Sequence, residues 1–212
     1  MEFCFYLITD RHAAGGRSIE DVLTLAIEGG VKGVLLREKD LPDGELIALA
    51  GRARDLTRRH RVKLLISGRV DVAVAVGADG VHLGGGSLPV KAARELLGDE
   101  KYVSASTHSL AEAVRAQDEG ADFITFGPVY HTPSKAVYGP PVGIRALEEV
   151  CGRLVIPVFA VGGINPGNAV ESLRAGAYGL AVISAVVSAA DPASATRDIM
   201  GKIRDYKLGR VI

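Results

Sequence analysis

Val-Phe-Ala-Val-Gly-Gly-Ile-Asn at 158–165 and Gly-Ala-Tyr-Gly-Leu-Ala-Val-Ile-Ser at 176–184 decide how this chain is read. Each is an apolar run ending in small residues, and the stretch between them suits a short helix. Two neighbouring strands that end this way expose backbone N–H groups. At the C-terminal rim of a β/α barrel such an arrangement holds a phosphate, so Gly162, Gly163, Ile183 and Ser184 form a candidate phosphate cradle. The plainer reading is that Gly162 and Gly163 only permit a tight turn.

Working outward, the same entry into a strand recurs. It appears as Glu-Gly-Gly-Val-Lys-Gly-Val-Leu-Leu (28–36), Val-Gly-Ala-Asp-Gly-Val-His-Leu (76–83), Glu-Gly-Ala-Asp-Phe-Ile-Thr-Phe (119–126) and Ala-Gly-Ala-Tyr-Gly-Leu-Ala-Val (175–182). Glycine after a helix supplies a left-handed cap, and the apolar run that follows is a strand buried on both faces. Completing the alternation gives eight strands, near 3–9, 33–36, 62–66, 80–83, 101–105, 122–126, 156–161 and 178–183. Helices fall near 18–29, 43–59, 69–76, 89–97, 109–119, 143–152, 166–174 and 192–206. The expectation is one (β/α)8 TIM barrel, a single domain over residues 1–212. An open doubly wound sheet is disfavoured because Thr9-Asp10-Arg11, and no G-x-G-x-x-G, follows the first strand.

Composition narrows the function. The chain has 212 residues, 25 basic and 25 acidic, so no overall field draws it to nucleic acid or an anionic membrane. Tryptophan is absent and aromatics are few, which argues against a base-stacking platform. Cys4 and Cys151 sit in no ligand-spaced cluster, so neither a disulfide framework nor a zinc site is expected. The N-terminus lacks the pattern of a signal peptide and no apolar run approaches membrane-spanning length, so a cytoplasmic location is expected. A homo-oligomer is compatible with the sequence.

Chemistry in such a barrel sits where strands end. The first strand delivers Thr9, Asp10 and Arg11, the second Arg37, Glu38 and Lys39, the third Ser67, Gly68 and Arg69. The fourth delivers His82 and Gly84–Ser87, the fifth Ser106, Thr107 and His108, the sixth Tyr130, His131, Thr132, Ser134 and Lys135. Arg37, Lys39, Arg69 and Lys135 are candidate grips for anionic substrate groups, and each alone is equally readable as a surface ion pair. Lys135 lies on a Pro/Gly-rich loop, 131–143, long enough to act as a lid. His82 reads as a satisfied interior histidine. His108 precedes a helix with Ser109 as N-cap and Glu112 as capping-box partner, and His131 is the better-placed acid–base candidate.

These strand ends resemble the thiamine phosphate synthase superfamily across almost the whole chain. The matching stretches are Tyr-Leu-Ile-Thr-Asp (6–10), Leu-Arg-Glu-Lys (36–39), Arg-Val-Asp-Val-Ala (69–73) and Gly-Ala-Asp-Gly-Val-His-Leu (77–83). They continue as Ser-Thr-His-Ser (106–109), Phe-Gly-Pro-Val-Tyr (126–130), Thr-Pro-Ser-Lys (132–135), Pro-Pro-Val-Gly (140–143) and Val-Gly-Gly-Ile-Asn (161–165). The resemblance implies a synthase that joins a hydroxymethylpyrimidine diphosphate to a thiazole phosphate through an ionised pyrimidine, with Mg²⁺. It further implies Gln before Leu-Arg-Glu-Lys, Asn-Asp before the third-strand Arg, and an acidic residue after His-Leu-Gly. This chain instead has Leu35, Ser67-Gly68 and Gly85-Gly86-Ser87.

Those departures resemble the thiazole tautomerase (TenI-type) branch, and the reading drawn from them is a metal-free, cofactor-free tautomerase acting on carboxythiazole phosphate. In it His131 serves as acid–base with His108 as second candidate, Arg37 and Lys135 hold the carboxylate, and Ser106 orients the ring. Lys39, Arg69, Thr132 and Ser134 complete the substrate contacts, and the cradle takes the phosphate. Pro128, however, stands where that branch places its catalytic histidine. The alternatives are an active thiamine phosphate synthase using Mg²⁺, and a catalytically silent regulatory protein that binds thiazole phosphate.

Overall fold

The computed structural model describes residues 1–133 and 139–210. Eight parallel strands close into a barrel in sequence order: β1 Phe5–Ile8, β2 Gly33–Leu36, β3 Lys63–Ser67, β4 Gly80–Leu83, β5 Tyr102–Thr107, β6 Phe123–Phe126, β7 Val158–Val161 and β8 Gly179–Val182. β8 returns to β1 with Ala181 opposite Tyr6. The outer helices are α1 Ile19–Glu28, α2 Asp43–Arg59, α3 Val70–Ala75, α4 Val90–Leu97, α5 Leu110–Asp118, α6 Gly143–Arg153, α7 Ala169–Arg174, α8 Ser184–Val187 and α9 Pro192–Lys207. The TIM barrel expected from the sequence is the observed fold. Among the described residues no helix is long and apolar enough to cross a membrane.

The repeated strand entries fold as their chemistry dictates. Gly30, Gly77, Gly120 and Gly176 all have φ between 63° and 105°, the left-handed caps that end each preceding helix. A second use of glycine in the repeat was not foreseen. Gly33, Gly80 and Gly179 begin their strands, and a Cβ on Gly33 would lie 2.5 Å from the Phe3 ring, one on Gly179 2.6 Å from Phe159. The missing side chains admit an aromatic plug of Phe3, Tyr6, Tyr102, Phe123 and Phe159, with Phe123 and Phe159 centroids 5.2 Å apart.

Strand alternation divides the core in two. Phe5, Leu7, Val34, Leu36, Leu64 and Ile66 face the helices. Tyr6, Ile8, Leu35, Leu65, Phe123, Phe159 and Ala181 fill the barrel. The inward set is apolar at the N-terminal end and turns polar toward the rim.

Three local differences from the expected elements have physical causes. β5 runs to Thr107, because Ser104 and Ser106 both sit on its inward side as partners of a buried histidine. α7 begins at Ala169, since Asn165 and Asn168 side chains organise the preceding turn: Asn168 Oδ1 accepts from Asn165 N–H at 2.8 Å and Asn165 Oδ1 from Gly167 N–H at 2.8 Å. The chain also makes a 3₁₀ turn at Arg11–Ala13, capped by Asp10, and the short α8 directly after β8.

Candidate active site

β2 ends at Leu36, and Arg37, Glu38 and Lys39 follow directly at its C-terminal end. Glu38 between them is 4% exposed and serves as a brace. Its carboxylate accepts from Thr9 Oγ1 at 2.6 Å and from the Arg11 N–H at 3.1 Å, while Thr9 Oγ1 accepts from the Arg37 N–H at 2.9 Å. The backbone that carries Arg37 is thereby stitched to the end of β1. Arg11 then pairs with Asp40, which also meets His12 Nε2 at 2.8 Å, closing the first two strand ends into one unit.

His82 forms the polar floor of the mouth. It is 4% exposed, with Nδ1 2.8 Å from Ser104 Oγ and Nε2 2.8 Å from Ser106 Oγ. Burial, and then the charges of Arg37 and Lys39, pull its imidazole down to about 3, so the ring is neutral at ordinary pH. That cause also places the two cations at the mouth. Ser104 gives its one hydroxyl proton to the Val81 carbonyl at 3.1 Å. Nδ1–H therefore donates to Ser104, and Nε2 accepts from Ser106 O–H. Ser106 keeps its lone pairs for the cavity.

Across the mouth, the loop after β6 is strapped onto the end of β7. Val129 N–H donates to the Val161 carbonyl at 2.9 Å and Tyr130 N–H to the Gly162 carbonyl at 3.0 Å. Tyr130 O–H donates to Glu171 of α7 at 2.7 Å. Gly162 and Gly163 have φ of 92° and 69°. A Cβ would lie 2.5 Å from Pro128 at the first and 2.7 Å from the His131 carbonyl at the second. Both glycines are thus required by the close approach of the loop. The β7–β8 register sets Val161 opposite Ala181, so the candidate cradle residues follow two neighbouring strand ends, with Ser184 the first residue of α8.

Other candidates lie elsewhere. Arg69 is an outer-rim ion pair: its guanidinium binds Asp71 at 2.6 and 2.9 Å and Asp43 at 2.6 Å. His108 is exposed, and its backbone N–H, rather than that of Ser109, donates to Glu112 Oε2 at 2.8 Å. Ser109 Oγ accepts from Glu112 N–H at 3.3 Å and caps α5 as expected. His131 is exposed and Thr132 half-buried at the foot of the loop. Ser134 and Lys135 lie outside the described residues. The brace formed by Thr9, Glu38 and Arg11 escaped sequence reading as a unit. Its only trace was a carboxylate set between two cations directly after an apolar strand.

Among the described residues, the corner between the third and fourth strand ends is built from Gly68, Gly84 and Ser87 and carries no carboxylate of its own. Gly68 turns the chain after β3 at φ 70°, where a Cβ would lie 3.0 Å from Ser87 Oγ. That hydroxyl accepts from Gly84 N–H at 3.1 Å, so it fills the corner between the third and fourth strand ends. Among the described residues no three of His, Cys, Asp or Glu gather to hold a metal ion. The oxygen set that Mg²⁺ requires is not assembled there.

The family described as "Thiamine monophosphate synthase" matches residues 5–186. A Geobacter sulfurreducens relative is 52% identical over 94% of each chain. A protein of Roseiflexus sp. named thiamine-phosphate synthase is 44% identical over 91% of this chain and 81% of its own. The solved structure of a thiamine phosphate pyrophosphorylase from Pyrococcus furiosus superposes with a TM-score of 0.89, at 35% identity over 96% of both chains. These findings overturn the tautomerase reading. The absent carboxylates had suggested that branch, yet a chain 44% identical to this one bears the synthase name. The absence of a histidine at Pro128, with His108 and His131 exposed outside the neutral His82 floor, agrees with the correction.

Proposed function

The chain belongs to the thiamine monophosphate synthase family, and on that premise we propose that it joins a hydroxymethylpyrimidine diphosphate to a thiazole phosphate, yielding thiamine phosphate and pyrophosphate. The observation that carries this reading is the likeness, over nine-tenths of the chain, to a protein named thiamine-phosphate synthase.

In the proposed reaction the bond from the pyrimidine methylene carbon to the diphosphate oxygen breaks, and its electron pair leaves with pyrophosphate. The thiazole nitrogen supplies the pair for the new C–N bond, with no oxidation or reduction. Charge develops on the leaving diphosphate and on the pyrimidine, so preorganised electrostatics is the main service required. Arg37 and Lys39 meet the diphosphate, held at the mouth by the brace from Glu38 to Thr9. The pyrimidine faces Ser106, whose lone pairs favour a cationic or N–H-bearing ring, and a neutral His82 beneath adds no repulsion. The N–H groups of Gly163, Ile183 and Ser184 take the thiazole phosphate. Thr132 stands at the foot of the loop after β6. The residues at the third and fourth strand ends do not fit a bound Mg²⁺, and no step is routed through one.

The test is pyrophosphate release from the purified protein. Release that needs both substrates supports the reading. Binding of thiazole phosphate with no release would refute it and leave a silent binder.

A further inference from the structure

Every described carboxylate at the ends of the first three strands is already engaged. Asp10 caps the 11–13 turn by accepting from His12 N–H, Glu38 accepts from Thr9 and Arg11, and Asp40 holds Arg11 and His12. Asp43 and Asp71 both grip Arg69. The corner between Gly68 and Gly84, where an acidic side chain would face the mouth, is closed by the Ser87 hydroxyl. Just beyond the end of β2 stand Arg37 and Lys39, two positive residues whose charges reach His82. Mg²⁺ is commonly held by one or two carboxylates together with substrate phosphates. Among the described residues no cluster of such ligands is gathered, which leaves the substrate phosphates.

We propose that this chain holds no divalent cation of its own: Arg37 and Lys39 grip the diphosphate directly, and a divalent ion arrives and departs only as a counter-ion on that diphosphate. The proposal rests on the synthase reading, because pyrophosphate is the product of that reaction.

Two binding measurements test it on the full chain. Mn²⁺ titrated into the protein alone and followed by electron paramagnetic resonance is expected to keep its free signal, with any dissociation constant weaker than millimolar. Radiolabelled inorganic pyrophosphate in equilibrium dialysis is expected to bind in EDTA within about tenfold of its affinity in Mg²⁺, and Arg37→Ala to weaken both by at least tenfold. A gain-of-site variant, Gly68→Asp with Ser87→Gly, is expected to acquire Mn²⁺ binding that the natural chain lacks. Sub-millimolar Mn²⁺ binding to the natural protein would overturn the proposal, as would pyrophosphate binding abolished by EDTA. Pyrophosphate binding that survives EDTA, with no turnover of the two substrates, would count against the synthase reading while upholding the metal-free grip.

Discussion

Arg37 and Glu38 are adjacent and charged, yet their surroundings differ. Arg37 is half-buried and its charge reaches His82, and Glu38 is buried against Thr9 and the Arg11 backbone. Arg37→Ala is expected to lower kcat by about 10²–10³, the range for loss of one preorganised charge-stabilising group. Its urea midpoint should move little, since the side chain is only half-buried. Steady-state kinetics beside a denaturation curve checks both. His82 makes the complementary case. Its imidazole is held near 3 in the fold, against about 6.5 in the unfolded chain. Between those values the unfolded state binds the proton and the folded state does not. Stability is therefore fully present above about pH 6.5 and declines as pH falls toward 3. Replacing His82 with Gln should flatten that part of the curve, measured as urea midpoint against pH.

At the scale of elements, the strand entries are the most regular feature. Asp79 accepts from Leu64 N–H and pairs with Arg54, and Asp122 accepts from Val103 N–H and pairs with Arg94. One sequence unit thus builds the same tie twice, from β4 to β3 and from β6 to β5. Asp122→Ala is expected to cost about 1–3 kcal/mol, because it strands a strand-end N–H and leaves a mostly buried guanidinium with carbonyl partners alone and no counter-charge. Gly33→Ala is expected to cost a similar amount, about 1–3 kcal/mol, by forcing a methyl group against the Phe3 ring. Chemical denaturation of each variant measures these costs. The cap glycines and apolar runs were legible because they depend on local backbone conformation and on burial of single residues. The aromatic plug was not, since Gly33 meets Phe3 only after the barrel closes. Gly162 and Gly163 show the same limit. Their neighbour, the loop after β6, lies some 30 residues earlier in the chain, so their packing role could not be separated from a ligand role in sequence.

The whole molecule sets a braced rim at β1–β2 beside a small-residue rim at β7–β8, since β8 pairs with β1, with His82 and Ser106 on the β4–β5 side of the barrel. This disposition suits two anionic substrates brought together head to head. Of the candidates named from strand ends, Ser106 stands beside His82 and the charges of Arg37 and Lys39 reach that ring, because a barrel converts position at a strand terminus into position at the site. Arg69 does not, because the carboxylates that claim it, Asp43 and Asp71, stand at the starts of α2 and α3, outside the rim. Reading the activity from missing carboxylates also failed. The loss of acidic residues at one strand end bears on how a diphosphate is held, whereas the kind of reaction is a property of the entire pocket. The most direct measurement is mass-spectrometric detection of product after the protein is mixed with hydroxymethylpyrimidine diphosphate and thiazole phosphate. The account predicts thiamine phosphate and pyrophosphate in equal amounts, strongly reduced in Arg37→Ala; recovery of both substrates unchanged from a folded protein would contradict it.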